Sequence, residues 1–154
     1  DIINYIRRKE NLSIGEATAE EIKVKIGCAT PLVVEDTIEI RGRDLSTGLP
    51  RNVVISSAQI LEALSESIGK IVNLVKTTLE RTPPELAADL VEKGIIISGG
   101  GALIKNLDQL LSNATNMPVY IVEDPLESVV RGTGKTLEHI EKLRPVLIKS
   151  RKRR

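Results

Sequence analysis

Apolar positions change period several times along the chain, and each change marks an element. Ile2, Ile3 and Ile6 share one helical face, and Arg7, Arg8 and Lys9 follow at the end where positive charge suits the helix dipole. A helix that opens with neither a cap nor a preceding strand predicts a chain cut from something longer. Leu12 to Gly27 reads as a second helix, with Ala19, Ile22, Lys23 and Ile26 on one side and Gly27 as its stop. Thr18 and Glu21 have capping-box spacing, although Glu16 through Ala19 also suits a helix. Thr37 to Arg43 then alternates polar and apolar residues, as a strand with one wet face does. Leu45 to Pro50 reads as a loop and Asn52 to Ile55 as a second strand, which together predict an antiparallel hairpin. Ser56 and Gln59 form a capping box for the longest helix. Its apolar stripe runs Ile60, Leu61, Leu64, Ile68, Ile71, Val72, Val75 and Leu79.

Thr82-Pro-Pro-Glu85 breaks that helix and starts another, with Thr82 as cap, Pro83 early and Glu85 third, running to Gly94. Ile95 to Ile97 is a short apolar strand, followed by Gly99, Gly100 and Gly101 and a helix with Leu103, Leu107, Leu110 and Leu111 on one face. Val119 to Val122 is a second apolar run without alternation. The unit of about thirty residues has the length of a right-handed parallel crossover, whose strands are expected to be covered on both faces. A last helix is predicted from Pro125 to about Lys142, with Asp124 as N-cap and Glu127 at the third position, ended by Pro145. Gly132 and Gly134 within it imply close packing against a neighbour or, as the second choice, a ligand. The layout is an insert of helices over a hairpin, residues 13–80, interrupting an α/β lobe.

The candidate chemistry sits where the Ile95–Ile97 strand ends. Ligands bind at the carboxyl ends of parallel strands, where the next helix presents unpaired N–H groups and glycine lets backbone approach a phosphate or nucleotide. Three successive glycines there favour a ligand over a plain tight turn, without naming one. A dinucleotide fingerprint from Gly99 fails at Ile104. Gly132-Thr-Gly-Lys-Thr136 resembles the end of a P-loop, but Val129 stands where a glycine is required and the upstream segment reads as helix, so Lys135 is taken as a solvated residue. No carboxylate pair, nucleophile with base or second phosphate loop can be placed, and no catalytic residue is assigned.

Composition adds three constraints. A single cysteine, Cys28, excludes an internal disulfide, fits a reducing cytoplasm and is expected to be a small buried side chain. With one histidine, His139, a zinc-type metal site is not expected. The net charge of +1 hides an asymmetry: from Lys142 to Arg154 lie seven bases, and the remainder carries fifteen bases against twenty-one acids. The 143–154 tail reads as a disordered basic end or as a contact for nucleic acid or an anionic membrane surface. Two aromatics, Tyr5 and Tyr120, form no stacking platform, so nucleic acid is not expected as a partner.

Several stretches carry a family resemblance: Ile2-Ile-Asn-Tyr-Ile-Arg-Arg8, Ile14-Gly-Glu-Ala-Thr-Ala-Glu-Glu-Ile-Lys23, Ile40-Arg-Gly-Arg-Asp-Leu45, Thr82-Pro-Pro-Glu-Leu-Ala-Ala-Asp89, Ser98-Gly-Gly-Gly-Ala-Leu103 and Glu123-Asp-Pro-Leu126. Together they resemble the MreB family of bacterial actin homologues, over essentially everything to about Glu141. The similarity is to the C-terminal portion of that family. It implies an α/β, actin-like (ribonuclease H-like) ATPase domain II, formed by residues 1–12 and 81–142, with an inserted small α+β subdomain at 13–80. It further implies ATP with Mg2+ in a cleft between two domains, filaments beneath the inner membrane, and a role in rod shape and wall synthesis. By this resemblance Gly99, Gly100, Gly101 and Ala102 contribute to the nucleotide site. Ala19, Glu20, Glu21 and Ile22 close over the adenosine, with Glu20 as the candidate for a sugar hydrogen bond and Lys23 as a weaker candidate beside the base. Implied partners are further copies of the chain and membrane morphogenesis proteins such as RodZ and MreC. The implied location is cytoplasmic, at the inner face of the cell membrane.

The family's two phosphate-gripping hairpins, metal-coordinating acid, water-positioning residues and membrane anchor have no counterpart in this sequence, and the basic tail is not a family feature. A fragment of this kind is expected not to hydrolyse ATP alone. The alternatives are a sugar kinase or chaperone-type ATPase of the same superfamily, which would need a second phosphate loop and a catalytic carboxylate, or a nucleotide-independent docking scaffold for membrane partners.

Overall fold

Thirteen short elements follow one another in a computed structural model that describes residues 1–146. Residues 147–154, which hold most of the basic tail, lie outside that description. Helix α1 (Ile2–Lys9) runs into a two-residue strand, β1 (Leu12–Ser13), before α2 (Glu16–Ile26). The second helix therefore starts at Glu16 and not at Leu12. Leu12 and Ser13 pair antiparallel with Asp44 and Arg43 of β2, which removes them from any helix, and Gly15 takes the N-cap position in place of the Thr18–Glu21 box. The hairpin of β2 (Thr37–Asp44) and β3 (Pro50–Ser56) forms as expected and becomes a three-stranded sheet in the order β1-β2-β3.

The longest helix, α3 (Ser57–Glu80), begins with the capping box read from sequence: the Ser56 hydroxyl accepts from the Gln59 N–H, and the Gln59 side chain accepts from the Ser56 N–H at 2.9 Å. Its first half buries Ile60, Leu64 and Ile68, whereas Leu74 in its second half is exposed. Helix α4 (Pro84–Lys93) starts one residue later than predicted, and Thr82 does not cap it. The Thr82 hydroxyl donates back to the Thr78 carbonyl, and Pro83, extended because a proline follows it, becomes the N-cap. An apolar groove of about 740 Å³ opens between the end of α3, α4 and the strand that follows.

That strand, β4 (Ile95–Ile97), pairs parallel with β5 (Val119–Ile121), as the crossover pattern predicts. Gly94 makes the entry possible: its φ is +75°, and a Cβ there would come within 2.6 Å of the Pro118 carbonyl oxygen. The expectation that both faces are covered fails. The sheet has two strands, and Ile96 is 68% and Tyr120 54% exposed, because helices of this chain cover one face alone. The connection also differs from one continuous helix. A 3₁₀ turn (Gly100–Leu103) leads to α5 (Leu107–Thr115), separated by Asn106 in the left-handed region, and Leu103 is exposed while Ala102 and Ile104 are buried.

The last helix is shorter than predicted and broken. Helix α6 spans Ser128–Glu138 and α7 spans Ile140–Leu143, interrupted at His139. Asp124 does not cap it; its carboxylate pairs with Arg131 at 2.7 Å. The Pro125 carbonyl is turned to the glycine segment and the helix starts three residues after it. Space is open around Gly132 and Gly134, so the close packing inferred for them is not found. The P-loop look-alike lies inside α6, with Lys135 exposed.

One apolar cluster joins these parts: Ile2, Ile6, Ile22, Ile26, Ile55, Ile60, Leu64, Ile104, Leu107 and Leu111 all belong to it. Helices α1 and α3 run antiparallel, tied by Gln59 to Glu10 at 3.0 Å and by the Tyr5 hydroxyl to Glu62 at 2.7 Å. Burial, and next the hydrogen bond to Glu62, pushes the Tyr5 phenol up to about 12, while that same bond and Lys9 hold Glu62 below the usual carboxylate range.

Two outcomes follow from this packing. Ser56→Ala removes the cap and is expected to cost about 1 kcal/mol in urea unfolding. Between the ordinary phenol pKa of 10.0 and the folded value of about 12, the unfolded Tyr5 ionises while the folded one keeps its proton. Its contribution to stability is therefore complete below that window and declines as pH rises through it, so the drop in urea midpoint across the window should shrink in Tyr5→Phe.

Candidate nucleotide site

Backbone at the end of β4 is shaped by one glycine and held by one carbonyl. Gly99 has φ +83° and ψ 171°, a region essentially reserved for glycine. Its N–H donates to the Pro125 carbonyl at 2.9 Å. The hydroxyl oxygens of Ser98 and Ser128 each lie 3.2 Å from the same oxygen, so that one hydroxyl donates to it while the other donates to its serine neighbour. Gly100 and Gly101 then open the 3₁₀ turn, where their N–H groups have no partner inside the turn and remain available as donors. A Cβ on Gly100 would sit 3.3 Å from the Leu126 side chain, whereas the space around Gly99 and Gly101 is open. Ala102 is 3% exposed and its N–H bonds to the Gly99 carbonyl, so it shapes the turn from the core side.

On the other side, α2 presents a surface to a small open cleft of about 370 Å³ lined by Asp1, Ile2, Ile3, Glu16, Ala19, Glu20, Lys23 and Leu64. Glu20 is exposed there, and its carboxylate accepts from the Lys23 ammonium at 2.6 Å. Ala19 borders the cleft with its small side chain. Glu21 points elsewhere and pairs with Lys25 at 2.6 Å. Ile22 is fully buried, so its side chain supports α2 and cannot itself touch a ligand.

The glycine turn is not among the residues that line the Glu20 cleft. The two groups are joined instead through a strap that local sequence signals did not reveal. Lys105 forms a parallel bridge with Cys28, its N–H donating to the Gly27 carbonyl at 3.1 Å and its carbonyl accepting from Ala29 at 2.8 Å. Cys28 is buried with its thiol 3.5 Å from the Ser57 carbonyl, and burial pushes the thiol pKa up, which fits a packing role. Among the described residues no three His, Cys, Asp or Glu side chains gather closely enough to hold a metal ion.

A sequence model of the MreB/Mbl protein family matches residues 1–145. The chain belongs to the MreB/Mbl family. It is 52% identical over 140 residues to the cell shape-determining protein MreB of Escherichia coli (strain K12), covering 91% of this chain and 40% of that protein. It is 48% identical over 143 residues to the cell shape-determining protein Mbl of Bacillus subtilis (strain 168), covering 93% and 43%. The chain thus spans about two fifths of the length of these relatives. The crystal structure of MreB5 of Spiroplasma citri bound to ADP superposes with a TM-score of 0.86 at 41% identity, covering 92% of this chain and 43% of that one. A MamK double helical filament, at 20% identity and a TM-score of 0.72, shares the fold. The fold is actin-like α/β.

The glycine turn distinguishes its three members. Gly99→Ala is expected to cost about 1–3 kcal/mol because its backbone is strained for any other residue. Gly101→Ala, with no positive φ and open space, should cost well under that; urea midpoints of the two variants check the contrast.

Proposed function

We propose that this chain carries the adenosine side of an ATP site in a bacterial actin-type cytoskeletal protein that maintains rod shape and guides wall synthesis. The observation that carries this reading is the alignment of 92% of the chain with MreB5 in its ADP-bound form and 95% with MreB5 bound to AMPPNP. The names of the MreB and Mbl relatives support the role in cell shape.

In this reading the Gly100 and Gly101 N–H groups donate to phosphate oxygens, aided by the absence of side chains at the turn. The Glu20 carboxylate accepts a ribose hydroxyl, giving up part of its bond to Lys23, and Lys23 flanks the base. Ala19 leaves room for the ring, and Glu21 and Ile22 act through the helix that carries them. The chemistry of phosphoryl transfer needs phosphate clamps, a metal and an oriented water, and this reading assigns those to the length of the relatives that the chain does not span. The intact protein assembles with copies of itself, works with membrane proteins such as RodZ and MreC, and lies at the cytoplasmic face of the cell membrane. The basic tail adds a contact to anionic lipid.

The test is an amide NMR titration of the chain with ATP and magnesium. Saturable shifts at Gly99 to Gly101 together with Glu20 are expected, and Glu20→Ala should weaken binding about tenfold, the loss of one charge-assisted hydrogen bond. No shifts at either place would leave the chain as an interaction surface. The pure chain should release no phosphate from ATP; measurable turnover would overturn the assignment of that chemistry to the length of the relatives that this chain does not span.

A further inference from the structure

The chain leaving the glycine turn does not run freely into α5. Four residues after Gly101, Lys105 is gripped by backbone and side chain at once. Its backbone bridges to Gly27 and Ala29, and its ammonium donates to the Lys25 carbonyl at 2.9 Å and to the Asp36 carboxylate at 2.7 Å. The next residue, Asn106, donates from its amide to the Thr30 hydroxyl at 3.0 Å. Lys25 lies in the last turn of α2, where carbonyls lack helical partners and the dipole favours a cation. The ammonium therefore satisfies an end of the helix that carries Glu20, five residues or about 7.5 Å along the axis from Lys25.

We propose that Lys105 is a positioning residue for the nucleotide half-site: it fixes the glycine turn relative to α2, so that the phosphate-side donors and Glu20 address one nucleotide. The proposal rests on the nucleotide reading above. Asp36 closes the loop after Cys28 onto the same ammonium, so the strap joins the turn, the end of α2 and the start of β2. The lever is short on both sides, four residues to Gly101 and five to Glu20. A tilt of the turn is thus transmitted to α2 instead of being absorbed by slack chain. A surface ion pair that merely closed the 28–36 loop would need neither the Lys25 carbonyl nor the backbone bridge.

The experiment compares the whole chain with Lys105→Met, which keeps the stem and removes the charge, Lys105→Arg, which restores a cation, and Asp36→Asn. ADP affinity by calorimetry, thermal midpoint, and amide exchange at Ala102 and Ile104, whose N–H groups bond to Gly99 and Gly101, are read on each. Lys105→Met is expected to raise the ADP Kd roughly tenfold, within the range of coupling energies carried by such networks. It should also speed exchange at Ala102 and Ile104 severalfold, with Lys105→Arg largely restoring both. A fall in thermal midpoint with ADP Kd unchanged would overturn the proposal and leave Lys105 a stabilising contact. If the unmodified chain binds no ADP, the nucleotide reading fails by itself. The exchange measurement then still decides the strap, because unchanged protection at Ala102 and Ile104 in Lys105→Met would sink it.

Discussion

The contact on which the rest depends is the apolar meeting of α1, α2 and α3. Ile6, Ile22 and Ile60 are each fully buried there, and each comes from a different helix. Burying one such side chain contributes on the order of 2 kcal/mol, and together these contacts fix helices that would be marginal alone, since α1 has eight residues and α2 eleven. Once α2 is held, its exposed face is committed to the cleft that includes Glu20, and its C-terminal carbonyls are committed to Lys105. The geometry of the candidate site is therefore a consequence of core packing on the opposite side of the same helix.

Polar contacts refine this arrangement more than they drive it. Most ion pairs are exposed and local, such as Lys25 with Glu21 or Lys70 with Glu66, and pairs of that kind contribute little. The exceptions join distant parts of the chain. Tyr5 with Glu62 ties α1 to α3, and Lys105 with Asp36 ties the glycine segment to the loop before β2. The open face of β4 and β5 and the exposed Val129, Val130 and Leu137 of α6 show a different economy: apolar surface that this portion of the family's fold does not cover by itself.

How much could be read in advance depended on range. The Ser56–Gln59 box, the hairpin, the parallel β4–β5 pair and the buried half of the α3 stripe are local or periodic signals, and all of them form. The errors occurred where a distant partner overrode a local preference. Leu12 and Ser13 look helical in isolation but pair with β2, thirty residues on. The segment after Gly99 looks like a helix start, yet only a 3₁₀ turn over Gly100–Leu103 forms before the bridge of Lys105 to Cys28 interrupts it and Asn106 turns left-handed. Thr82 has the chemistry of a cap, but Pro84 keeps Pro83 extended and so makes Pro83 the N-cap.

The candidate site divides in the same way. The glycine turn at the end of an apolar strand is legible because its reason is backbone sterics, which neighbours in sequence decide; Glu20 on α2 was placed by family resemblance, not by spacing. What sequence by itself determined was the type of most elements, the location of the turn and the family to which the chain belongs. What only the tertiary structure decided was which members of the candidate set face outward. Glu20 faces an open cleft while Ile22, two residues on, is sealed in the core, and Ala102 lies behind the turn that Gly100 and Gly101 present. Helical rotation separates the first two, and a strap between residues 80 apart aligns the last with them. Neither effect has a local signature, because each arises from what the folded chain brings against that position.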